Sequence, residues 1–237
     1  KWIFVQDEPT AQLLKNYQFG QVMVAGDTRV DAVMSANRKP AVHDRPRIFI
    51  GGSTWPPEEK LLARLWKAAE FNDVAGNWKL IIAPHDISEE HLLQIEALFH
   101  GATIRHSHIE GPWMKAFDEH PIMIIDSIGL LSSLYACADM AFIGGGFGKG
   151  IHNTLEPAAY GIPVIFGPNW QKFMEAESLV QMGGAFPITD YDSFSAIVLT
   201  LCSDSDFRME SGNLALSYMK SQMGSSDLII RCLLGKS

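Results

Sequence analysis

Seven short runs along the chain are apolar at nearly every position: WIFVQ (2–6), VMVAG (22–26), RIFIGG (47–52), KLIIAP (79–84), IMIID (122–126), MAFIGG (140–145) and PVIFG (163–167). A strand with one wet face alternates apolar and polar residues, whereas a run apolar throughout is buried on both faces, as in a parallel sheet. Between the runs the period becomes helical. PEEKLLARLWKAAEF (57–71) puts Leu61, Leu62, Leu65, Trp66 and Ala69 on one stripe. SEEHLLQIEALF (88–99) does the same with Leu92, Ile95, Leu98 and Phe99, and Ser88 is its expected N-cap. IGLLSSLYACAD (128–139) and WQKFMEAESLVQMGG (170–184) continue the alternation. Strand and helix in regular turn predict an α/β fold with a Rossmann-like, doubly wound parallel sheet.

The alternation is interrupted by SANRKPAVHDRPR (35–47), which is polar and carries two prolines. Residues 1–36 therefore read as the tail of a preceding domain and residues 45–237 as a complete domain. The opening KWIFVQDE enters a strand at once and lacks a starting methionine, as in a piece of a longer protein.

Composition narrows the function classes. Of the 237 residues 47% are hydrophobic and 19% charged, enough for a packed core. The formal net charge of -8 argues against a nucleic-acid partner, which needs a basic face, but leaves a small anionic ligand open. Cys137, Cys202 and Cys232 are odd in number and form no CxxC pair, so they read as reduced core thiols of a cytoplasmic protein and not as a zinc site. No apolar run approaches the ~20 residues of a membrane span.

In open α/β sheets ligands bind beyond the carboxyl ends of the strands, and four such ends carry unusual residues. Gly52, Ser53 and Thr54 precede a helix whose first turn holds Pro57; either a ligand or an ordinary capped turn accounts for them. Pro84 and His85 end another strand, and His85 is either a donor to a ligand or simply solvated. Asp126 reads most simply as a cap for the following helix, with Gly129 in its first turn and the backbone of Ile128 and Gly129 open to a ligand. The fourth end, GGGFGKGIHNTLEPAAYG (144–161), resembles a phosphate cradle. It fails the GxxxxGK[ST] pattern at Ile143 and Gly150 and has no GxGxxG register, which disfavours both triphosphate hydrolysis and hydride transfer. Lys149 adds a cation beside a helix opening at Asn153, where Asn153 and Glu156 fit a capping box as well as they fit a ligand.

Together these stretches resemble a known family. GGGFGKGIHNTLEPAAYGIPVIFGP (144–168) is similar to the donor-site signature of the transferases of 3-deoxy-D-manno-octulosonic acid (Kdo). VAGDTRVDAV (24–33), GGSTWPPEE (51–59) and IIDSIGLLSSLYACADMAFIGGG (124–146) agree with further family segments, in order and spacing. The resemblance implies the C-terminal half of a GT-B glycosyltransferase. Such an enzyme transfers Kdo from CMP-Kdo to a lipid A precursor at the cytoplasmic face of the bacterial inner membrane, with no cofactor and no metal. It places acceptor binding, membrane association and the catalytic base in an N-terminal domain, so this chain is expected to bind donor without transferring sugar. Carried over, the donor contacts are Pro84, His85, Ile128, Gly129, Leu130, Lys149, His152, Asn153, Thr154, Leu155 and Glu156. Glu156 would take the ribose hydroxyls, and the helix start at 153–155 together with Lys149 would take the phosphate. The chain departs from the family at Pro84-His85-Asp86, where many members have Pro-Arg-His, and at Gly129-Leu130, where many have Gly-Glu. A UDP-sugar 2-epimerase of similar fold and a non-catalytic interaction module are the alternative readings.

Overall fold

A computed structural model describes residues 1–36 and 45–235; residues 37–44, the centre of the polar stretch expected to separate two domains, lie outside the described residues. The chain divides into two units, one of residues 1–37 and 217–237, the other of residues 38–216.

The first unit begins with β1 (Ile3–Val5), α1 (Glu8–Asn16), β2 (Val22–Val24) and α2 (Thr28–Ala36), and β1 pairs in parallel with β2. The expected strands at 2–6 and 22–26 are thus present.

The larger unit contains β3 (Arg47–Thr54), α3 (Pro56–Lys67), α4 (Ala69–Ala75), β4 (Trp78–Pro84), α5 (Glu89–Leu98), β5 (Thr103–Arg105), β6 (Ile122–Ile124), α6 (Leu131–Leu134), β7 (Met140–Ile143), α7 (Leu155–Ala159), β8 (Val164–Phe166), α8 (Met174–Met182), β9 (Ala185–Pro187), α9 (Tyr191–Ser203) and most of α10 (Ser205–Ser221). Seven strands form one parallel sheet in the order β5-β6-β4-β3-β7-β8-β9. The expected parallel sheet is therefore present. Its full burial explains the unbroken apolar runs: Ile48, Phe49, Ile50, Leu80, Ile81, Ile82, Phe142 and Ile165 are all inaccessible to solvent. The winding reverses between β3 and β7, the strand pair where a crevice opens in folds of this kind.

Several local expectations change. The helix expected over 57–71 ends at Lys67, because Ala68 is extended (φ -74, ψ 136), and Ala69 is exposed in a second helix. Ser88 occupies the N-cap position of α5, but its hydroxyl donates to Asp86 and caps nothing. Strands β5 and β9, three residues each, carry no apolar run long enough to announce them.

The last helix, α11 (Ser225–Leu233), belongs to the first unit, so the C-terminal residues group with 1–37 and the expected 45–237 domain is shorter. The Asp31 carboxylate on α2 accepts from the N–H groups of Gly224 and Ser226, both at 2.7 Å, and so caps α11. The Gly224 bond, followed by that of Ser226, lowers the Asp31 pKa from its ordinary 3.8.

Candidate functional site

The carboxyl ends of β3, β4, β6 and β7 meet around two adjoining cavities. One, of about 280 Å³, is lined by Ser53, Gly129, Ser132, Tyr135, His152, Asn153 and Glu156 among others. The other, of about 170 Å³, is lined by Pro84, His85, Ile125, Ser127, Ile128 and Gly129. Ser53, Gly129 and Leu131 line both, which joins them. A third cavity, of about 460 Å³, lies on the other side of His152 and is walled by Trp55, Pro57, Glu58 and Lys149.

The first cavity carries one carboxylate and one amide in contact. Asn153 Nδ2 donates to Glu156 Oε1 at 3.0 Å, and Asn153 Oδ1 accepts from the Leu155 N–H at 3.0 Å. Asn153 therefore does the work of the expected cap, although α7 formally begins after Thr154, and the Glu156 carboxylate meets the Asn153 side chain instead of a backbone amide. Burial raises the Glu156 pKa above 4.5, against the hydrogen bonds of Asn153 and Ser132. A half-buried carboxylate beside an amide, facing open volume, suits a pair of vicinal hydroxyls.

Three rings stand where the cavities meet. The His85 ring stacks on Trp55 at 4.5 Å between centroids and on His152 at 4.7 Å. Trp55 Nε1 donates to His152 Nε2 at 3.1 Å, which fixes that nitrogen as an acceptor. Burial, and then the neighbouring His85, lowers the His152 pKa from 6.5.

The glycine run differs from the expected cradle. A Cβ on Gly144 would lie 2.0 Å from the Ser53 carbonyl oxygen, and one on Gly146 2.5 Å from the Gly167 nitrogen. The N–H groups of Gly144, Gly148, Gly150 and His152 donate to Gly52, Gly145, Gly145 and Gly144. That of Phe147 reaches the buried Glu58 carboxylate at 3.4 Å. Glu58 also accepts from the Trp55 N–H at 3.1 Å, and burial raises its pKa. Gly144 and Gly146 thus pack backbone on backbone and these five donors are taken within the protein, while Gly145, Gly148 and Gly150 line the third cavity. The helix start at 153–155 is equally modest: α7 spans five residues and the Leu155 N–H is already taken.

The remaining candidates separate cleanly. Gly52 is buried under Tyr135, whose hydroxyl lies 2.1 Å from a Cβ placed there. Thr54 is buried; its hydroxyl donates to Glu59, which also holds His91, and its carbonyl accepts from the His85 N–H at 2.9 Å. Thr154 and Leu155 are buried, and Leu130 sits outside the three cavities with its carbonyl bound by Ser133 and Leu134. Asp126 does not cap the next helix. It holds the end of β5 by accepting from the Ser107 N–H at 3.0 Å and from the Ser107 hydroxyl. Gly129 precedes α6 with φ +93, so it is a left-handed loop residue and not part of a helical turn. Trp55, Ser132 and Tyr135 were not legible as site residues: the first looks like a turn residue before two prolines, the others like one helical stripe. Among the described residues no group of three His, Cys, Asp or Glu side chains is placed to hold a metal ion.

The chain matches no family model. It resembles the 3-deoxy-D-manno-octulosonic acid transferase of Chlamydophila psittaci at 41% identity over 116 residues, 47% of this chain and 25% of the relative. With the enzyme of the same name from Aquifex aeolicus it shares 29% identity over 139 residues, 58% of this chain and 36% of the relative. The matched stretch thus spans between a quarter and about a third of these relatives' length. Among solved structures it is similar to the C-terminal CMP-Kdo binding domain of WaaA from Acinetobacter baumannii, with TM-score 0.65 and 18% identity over 81% of this chain and 97% of that domain. A Listeria monocytogenes protein described as a UDP-N-acetylglucosamine 2-epimerase gives TM-score 0.64 and 13% identity over 98% of this chain and 58% of its own. At these identities the structures establish the fold, which is that of the C-terminal half of GT-B glycosyltransferases, and the curated relatives bear out the resemblance to Kdo transferases.

Proposed function

We propose that this chain is the donor-binding half of a Kdo transferase and that the joined strand-end cavities take the cytidine nucleotide of CMP-Kdo. The observation that carries this reading is the Glu156–Asn153 pair on the wall of a cavity at the reversal of the sheet. Glu156 accepts from the ribose hydroxyls, Asn153 holds the carboxylate in place, and Pro84, Ser127 and Gly129 enclose the base. The parent enzyme attaches Kdo to a lipid A precursor during lipopolysaccharide synthesis at the inner membrane. Acceptor binding, membrane association and the base that deprotonates the acceptor hydroxyl come from the length that this chain does not share with its relatives. No helix among the described residues is long and apolar enough to cross a membrane.

In such a transfer the phosphate of CMP gains charge as the bond to Kdo breaks. Cationic groups aimed at that charge lower the barrier electrostatically. Lys149, exposed at the mouth of the third cavity, supplies one. The N–H groups of Gly144, Phe147, Gly148, Gly150 and His152 are already taken within the protein, so side chains carry much of this role.

A melting series with CMP and UMP tests the reading, because a ligand that binds only the folded state raises the midpoint by mass action. CMP is expected to raise it more than UMP does. A larger shift with UMP would favour an epimerase-like protein, and no shift with either would remove the nucleotide reading.

A further inference from the structure

The ring cluster of Trp55, His85 and His152 carries an inference that rests on the nucleotide reading and deepens it. We infer that His85 takes up one proton when a nucleotide phosphate binds, becoming the cation that the phosphate needs, with Trp55 and His152 as its supports. His152 is not the group that gains the proton, because its Nε2 already accepts from Trp55 Nε1 at 3.1 Å and protonation there would break that bond. His85 is exposed, lines the cavity shared with Ser53 and Gly129, and stacks at 4.5 Å on an indole face, where an imidazolium is favoured by the ring quadrupole. Two imidazolium rings 4.7 Å apart repel, so the pair takes up one proton and not two.

The groups around the pair offer a proton on His85 only partial compensation. Asp86, the nearest carboxylate in sequence, accepts from the Ser88 N–H at 2.8 Å and from the Ser88 hydroxyl, and its charge also acts on His85 and His91. Glu59 is buried between Thr54 and His91. Glu58 faces the third cavity and accepts from the Trp55 and Phe147 amides, while Lys149 on the same cavity adds positive charge. Glu156 and Tyr135 face the first cavity, on the far side of His152 from Lys149. A phosphodiester entering beside His85 adds counter-charge in direct contact, and its charge-assisted hydrogen bond stabilises the protonated ring.

The test is calorimetry of the whole 237-residue chain with the 5′-phosphate methyl ester of CMP, a diester with no titration of its own near neutrality, and with cytidine as control. The diester is expected to bind about tenfold more tightly at pH 5.5 than at pH 8, the size of one charge-assisted bond. Cytidine, which meets Glu156 but has no phosphate, is expected to show no such gain. Repeating the titration in buffers of different ionisation enthalpy should show net proton uptake with the diester alone, a readout on the unaltered protein. His85→Gln should flatten the pH dependence and abolish the uptake. Diester binding that is independent of pH, or a gain that persists in His85→Gln, overturns the inference while leaving the nucleotide reading intact. Failure of both ligands to bind at any pH overturns the reading and the inference together.

Discussion

The loops that follow β6 and β7 both bring glycine to the mouth of the cavity, yet a Cβ on Gly144 would strike the Ser53 carbonyl at 2.0 Å, whereas a Cβ on Gly129 meets nothing within 4 Å. In the loop after β7 the absent side chain makes room for another strand. In the loop after β6 it leaves open volume, and φ +93 is a conformation that glycine adopts without strain. Gly144 and Gly129 thus differ in role: the first builds the fold, and the second borders the joined strand-end cavities.

The comparison breaks most sharply at Gly144. Gly144→Ala should cost more than about 3 kcal/mol or prevent folding, since rigid backbone cannot yield as a flexible side chain can. Urea unfolding measures it, and a loss below about 1 kcal/mol would show the run to be loose. Glu156→Ala should leave the fold in place and weaken CMP about tenfold to thirtyfold, the size of a lost hydrogen-bonded pair to a charged group. Titration calorimetry reads this directly. Gly129→Ala sits in open space but in a left-handed conformation, so it should lose about 1 kcal/mol of stability through strain and keep the native circular dichroism spectrum.

The smallest effect is one of pH. Burial raises the Glu156 pKa above 4.5, so the folded state holds that proton more tightly than the unfolded chain does. Stability therefore falls as pH rises from about 4.5 through the folded value, and the full cost persists above it. Glu156→Gln keeps an oxygen for Asn153 and removes the charge. Its melting point should exceed that of the unaltered chain at pH 8 and match it more nearly at pH 4.

The sheet was legible because full burial writes itself into strands as unbroken apolar runs, as at RIFIGG and MAFIGG. Edge strands TIR and AFP were not, the first being mixed in polarity and the second interrupted by Pro187. Glu156 and Asn153 could be named from spacing, but not whether they cap a helix or face a ligand, since both uses need the same residues three apart. The role of the glycines was not legible either. Ser53 lies on β3 and Gly167 just after β8, and sequence alone does not separate a Cβ removed for a neighbour from one removed for a ligand. The ring cluster stayed hidden for the same reason, because Trp55, His85 and His152 come from three strand ends.

The most direct test of the open and closed loops is an amide chemical-shift titration of the isotopically labelled chain with CMP. Ser53, Gly129, Asn153 and Glu156 are expected to shift and saturate together, while Gly146, Gly167 and the Asp31–Gly224 contact of the first unit stay in place. Shifts confined to Gly146, Gly148 and Gly150, with Gly129 and Glu156 unmoved, would contradict it and return the glycine run to the role of a phosphate cradle.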